Sequence, residues 1–151
     1  MLQRIQSVYI LLSFVLGVVA LSNPIGRLTH EGERIADVYN LWLTHVADQS
    51  HVWTPWVALF VVLLIATTIT FLSIMLFTRR ALQMRALVLC MLILVGYYAC
   101  LGVFVFTKVG ELTFTPSPYA ALPLVSIILD YLAFRGVLKD EMLVKSLDRL
   151  R

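Results

Sequence analysis

The chain has 151 residues, 60% of them hydrophobic and 14% charged, with a mean hydropathy of +0.89 and a net charge of +3. A soluble domain carries roughly 25% charged residues, and one of this length exposes too much surface to hide so much apolar area. The composition excludes an ordinary water-soluble fold and points to a chain solvated by a bilayer.

A spanning helix needs roughly 20 mainly apolar residues, and four stretches meet that length. The first runs from about residue 5 to residue 22 and carries no charge. It has some features of a signal peptide, with small residues Ala20 and Ser22 at a cleavage-like spacing. The basic start holds only Arg4, however, and Pro24 follows closely, so it reads as a retained span. An outer segment over residues 23–54 comes next. Its two arginines stand against Glu31, Glu33, Asp37 and Asp48. The run from Asp37 to Leu43 alternates loosely, as a short strand or hairpin does. An amphipathic helix lying on the membrane is the alternative. The remaining spans are expected at about 55–77, 86–107 and 119–135. Pro55 and Pro118 stand at helix starts, where a missing N–H costs little.

After Gly136, the residues Leu138, Met142, Leu143, Leu147 and Leu150 recur at helical spacing. Glu141 with Lys145 and Asp148 with Arg151 form pairs on one face. This predicts an amphipathic tail helix over 139–151, following a transmembrane domain over 1–138. Short connections make neighbouring helices antiparallel. The expected fold is therefore an all-α membrane protein, a four-helix bundle running up-down-up-down. The pairs Ser13 with Gly17, Ala66 with Thr70, and Gly96 with Cys100 offer close backbone approach. The hydroxyls of Thr67, Thr68, Thr70 and Ser73 are expected to bond to their own helix or bridge to a neighbour. Cys90 and Cys100 lie ten residues apart on one helix. That is roughly 15 Å, beyond the disulfide reach of about 7 Å, so both read as packing residues.

Orientation follows from Lys and Arg. The N-terminus, the 78–85 loop and the tail hold nine: Arg4, Arg79, Arg80, Arg85, Arg135, Lys139, Lys145, Arg149 and Arg151. The outer segment and the 108–118 loop hold three: Arg27, Arg34 and Lys108. Nine against three places both termini in the cytoplasm. Trp53, Trp56 and Tyr119 fall where an outer aromatic belt is expected.

Three blocks carry a family likeness: the start Met1-Leu2-Gln3-Arg4-Ile5-Gln6-Ser7, the loop Arg80-Ala81-Leu82-Gln83-Met84-Arg85, and the tail from Lys139 to Arg151. In order and spacing they resemble a family of four-span inner-membrane proteins of Bacteroidota, known as a domain of unknown function. The resemblance implies a multi-pass protein of the bacterial inner membrane and implies no activity. All three blocks fall on the expected cytoplasmic side.

Asp130 is the charge inside a predicted span. An intramembrane carboxylate is a functional candidate by default, able to carry a proton or bind a cation. A structural role is the competing reading, in which it pairs with Arg4, Arg79, Arg80 or Arg85 near the inner boundary or accepts from Ser126. His30, His45 and His51 share the outer segment. On a helix, His51 would point roughly 120° away from His45, which is no convincing metal constellation. The inner arginines suit anionic lipid headgroups. From Arg135 to Arg151 the charge is +5 −3 = +2, too weak for a nucleic-acid face. No phosphate loop, zinc-protease helix or paired nucleophile occurs, and no His lies in a span to hold haem.

These observations favour a non-enzymatic accessory or scaffold subunit of a larger inner-membrane assembly, without a cofactor or metal. Its partner, a membrane protein or a second copy, would meet Gln83, Arg85, Asp140, Glu141, Asp148 and Arg149. The alternative is a small oligomeric transporter or channel using Asp130 and the Thr-rich second helix.

Overall fold

The computed structural model describes the backbone of residues 2–53, 57–76, 79–108 and 112–148, and the side chains within them except at 2–4, 108 and 145–148. Four long helices dominate: α1 (Leu2–Ser22), α2 (Val57–Met75), α3 (Arg80–Lys108) and α4 (Leu122–Asp148). Each is long and apolar enough to cross a membrane. Between them lie strands β1 (Gly26–His30), β2 (Glu33–Val38), β3 (Leu43–His45), β4 (His51–Val52) and β5 (Thr113–Pro116), and a 3₁₀ turn over Pro118–Ala121 leads into α4.

The helices form a ring in which α1 packs on α2 and α4, and α3 packs on the same two. The contacts run antiparallel at every seam. Ser13 meets Ser126 while Gln6 meets Asp140. Thr70 meets Cys90 while Ser73 meets Gln83. The buried positions repeat with alternating steps of four and three: 6-10-13-17-20 on α1, 59-63-66-70-73 on α2, 83-87-90-94-97-101 on α3 and 126-130-133-137 on α4. That is the 3.5-residue repeat of helices packed in a left-handed bundle. Small and polar residues share these seam positions with leucines such as Leu59, Leu63, Leu87 and Leu94, while other large apolar side chains, among them Val8, Leu11, Phe71 and Leu92, are exposed. Where helices associate without a hydrophobic drive, close approach and hydrogen bonds hold them together. A Cβ on Gly17 would stand 2.8 Å from Thr67 Oγ1, and one on Gly136 would stand 2.7 Å from Gln6 Cγ. Gly96, by contrast, has open space beside it and brings no helix close.

The all-α expectation is corrected here. The segment after α1 and the α3–α4 connection join in one antiparallel sheet of order β4-β3-β2-β1-β5. Its first hairpin turns on Glu31 (φ 50°) and Gly32 (φ 89°). Two positive φ values define the two-residue turn whose twist matches the strands, and Gly accepts that backbone without strain. One face alternates inward: Leu28, Ala36, Val38 and Leu43 are buried with Ile25. These side chains form one continuous core with Leu59, Leu63, Leu94, Tyr97 and Leu101 of the bundle. The sheet thus caps one end of the helices. Pro116 lies on edge strand β5, where its missing N–H breaks no inner ladder. The expected tail helix from residue 139 is continuous with the fourth span, since α4 runs unbroken to Asp148.

Candidate functional site

At the sheet end, each polar group that enters the core finds a partner. Asn40 is fully buried, donates from Nδ2 to Ala20 O at 2.8 Å, and accepts from Tyr97 Oη at 2.7 Å. The loop between β2 and β3 is thereby pinned to α1 and α3. Next to it, Tyr98 Oη donates to Ala120 O at 2.7 Å and accepts from Leu124 N at 2.9 Å. That satisfies one of the free N–H groups at the start of α4.

The middle of the bundle differs. Every helix contributes a polar side chain there: Ser13 from α1, Thr67 and Thr70 from α2, Cys90 from α3, and Ser126 and Asp130 from α4. All are buried. The hydroxyls of Thr67, Thr70 and Ser73 donate to the carbonyl four residues back, as does that of Thr68 on the outer face. Thr70 Oγ1 also meets Cys90 Sγ at 3.0 Å. Ser13 and Ser126 exchange long contacts with one another's carbonyls, 3.5 and 3.4 Å. A cavity of about 10 Å³ lies between Ser13, Thr67, Thr70 and Ser126, room for one water at most.

Asp130 is fully buried, and neither carboxylate oxygen has a hydrogen-bond partner among the described residues. Two expectations from the sequence are corrected. Asp130 makes no ion pair with Arg79, Arg80 or Arg85, and Ser126 turns to Ser13 instead. The reason is burial. Asp130 lies five residues before Arg135, roughly 7.5 Å along the helix, and is fully buried inside the bundle. It stands one turn from Ser126, which meets Ser13 near the midpoint of α1's apolar stretch Ile5–Ser22. A charge buried without a partner is costly, so this position calls for a proton or a cation.

The end opposite the sheet separates the expected contact residues. Gln83 is buried and donates from Nε2 to Ser73 O at 3.1 Å. Asp140 accepts from Gln6 Nε2 at 2.7 Å. Both therefore hold helices together instead of presenting a contact. Arg85 and Glu141 line one groove between α3 and α4. Arg149 and the side chain of Asp148 lie outside the described residues, as do Trp56 and the side chain of Arg4.

The histidines fall on strands. His45 and His51 line one shallow groove of the sheet with Arg34 and Asp37, because a hairpin brings together what a helix would have spread apart. Thr44 Oγ1 meets His51 Nδ1 at 3.1 Å, and Arg34 and Asp37 form an ion pair that raises the guanidinium further above its ordinary range. Among the described residues no three His, Cys, Asp or Glu side chains come together as a metal site.

A four-helix bundle with membrane-spanning proportions, a strand cap and a polar interior defines the class. The chain belongs to the family described as domain of unknown function DUF4293, whose profile matches residues 2–150. A comparison with curated proteins finds no match.

Proposed function

We propose that this is a multi-pass protein of a bacterial inner membrane, with both termini in the cytoplasm, and that it handles protons at Asp130 as a small oligomeric transporter or channel. The observation that carries the reading is the buried carboxylate, whose two oxygens have no hydrogen-bond partner among the described residues. Ionisable groups inside membranes are expensive to keep and mark ion pathways. Size decides between ions. Asp130 is fully buried, and the cavity one turn away at Ser126, about 10 Å³, has no room for a hydrated metal ion, whereas a proton passes along hydroxyls and a single water. Access requires the bundle to part. At this level Ser13 and Ser126 meet across the α1–α4 seam through two long contacts. Nine inner against three outer basic residues support the orientation.

The test is proton flux. The protein is reconstituted in liposomes with a trapped pH dye and an imposed gradient. Flux from the wild type that falls at least tenfold in Asp130→Asn is expected. No flux from the wild type in either gradient direction rejects the reading.

A second reading remains from the sequence: a non-enzymatic accessory subunit docking through the cytoplasmic end. The groove between α3 and α4, about 570 Å³ and flanked by Arg85 and Glu141, favours it. A co-purifying membrane protein, lost on deleting residues 139–151, is its expected result.

A further inference from the structure

A second groove at the end opposite the sheet runs between α1 and α4, with a volume of about 630 Å³. Ile5, Tyr9, Leu132 and Met142 give it apolar walls, and Arg135 and Lys139 stand on the α4 side. The two cations are four residues apart and share a helix face. Among the described residues no acidic side chain lines this groove. The nearby acid, Asp140, is engaged by Gln6 at 2.7 Å, and neither Arg135 nor Lys139 makes an ion pair with a described residue. Arg135 lies 6.0 Å from the centre of the Tyr131 ring, which steadies it without neutralising it. The α3–α4 groove carries both signs, with Arg85 and Glu141 among its lining residues.

Depth adds the second half of the argument. The close approach of Gly136 to Gln6 sets Arg135 and Lys139 level with Ile5 and Gln6. Ile5 begins the apolar stretch of α1. The two cations therefore stand where the hydrocarbon gives way to headgroups, and Tyr9 and Leu132 lie about one turn deeper. We propose that this groove binds an anionic phospholipid, its phosphate between Arg135 and Lys139 and an acyl chain along Ile5, Tyr9 and Leu132. Basic pockets between helices at this level suit such headgroups. The inference rests on the membrane reading above but not on proton transfer at Asp130.

The test uses the intact chain in mild detergent, measuring retained lipid by native mass spectrometry. Phosphatidylglycerol and phosphatidylcholine with identical acyl chains are compared. The wild type is expected to retain phosphatidylglycerol preferentially, and Arg135→Gln with Lys139→Gln to lose roughly ten- to thirtyfold of that preference. Arg85→Gln and Asp130→Asn are expected to keep it, with helical content by circular dichroism confirming that each variant is folded. If the double variant does not fold, the single variants are compared in the same way. Equal retention of both lipids by the wild type overturns the proposal. So does a preference unchanged in the Arg135 and Lys139 variants, or one that inorganic phosphate abolishes at millimolar concentration by taking the site itself. A preference that survives in Asp130→Asn, alongside absent proton flux, removes the transport reading and leaves this one standing.

Discussion

The sheet end and the middle of the bundle both bury polar side chains, yet treat them in opposite ways. At the sheet end Asn40, Tyr97 and Tyr98 are all satisfied by named partners within 2.9 Å. In the middle, Asp130 has none among the described residues. Buried polar groups in native proteins are normally paired, so an orphan calls for an explanation. The contrast separates two uses of polarity. Paired groups fix the cap on the helices, and the unpaired carboxylate waits for something that arrives from outside the fold.

If that contrast holds, the largest loss of stability comes from the cap. Asn40→Ala removes the donor to Ala20 and the acceptor for Tyr97 together. Each buried group left unsatisfied costs about 1–3 kcal/mol, so equilibrium unfolding in detergent is expected to show a loss of about 3 kcal/mol. A loss below about 0.5 kcal/mol would break the comparison from the cap side. The seams come next. Gly17→Val forces a side chain into the 2.8 Å approach to Thr67, an overpacking expected to cost about 1–3 kcal/mol by the same measurement. Gln6→Ala loses the bond to Asp140, which is part-buried. About 1 kcal/mol is expected there, seen as a smaller shift of the unfolding midpoint.

The smallest effect is local to the β3–β4 loop. The Ser50 hydroxyl and N–H hold the exposed Asp48 carboxyl below its ordinary value of 3.8. A depressed carboxylate stabilises above its unfolded pKa and loses that contribution as pH falls through the lower folded value. Ser50→Ala removes the first of these bonds. The Asp48 titration, followed by NMR, should then move back toward 3.8. An unchanged titration would show that the loop does not hold Asp48 as described.

The four long helices were legible in the sequence because apolar run length is a direct physical demand of a bilayer. Which face of each helix points inward was harder to read, since both environments are apolar and hydrophobicity does not distinguish them. The steps of four and three through Gln6, Ile10, Ser13 and Gly17 were nevertheless present, marked by small and polar residues rather than large ones. Gln83 reads as a contact residue in the sequence because it lies in the 80–85 block on the expected cytoplasmic side. Its spacing to Leu87 and Cys90 would have placed it on the seam. The sheet was legible only as a possible hairpin. Its fifth strand comes from Thr113–Pro116, more than 80 residues after its partner β1, and such short, distant pairing leaves no local signature. Asp130 was identified from its charge alone. The sequence does not show that Ser126 turns to Ser13 and leaves the carboxylate without a partner among the described residues.

The polar groups of the cap hold the fold, and Asp130 does not. Unfolding of Asp130→Asn in the same detergent tests this most directly. A variant as stable as the wild type, or more so, is the predicted result, since relieving an uncompensated buried charge is neutral or favourable. A loss of about 3–5 kcal/mol, the cost of breaking a buried ion pair, would contradict it and make Asp130 a structural residue.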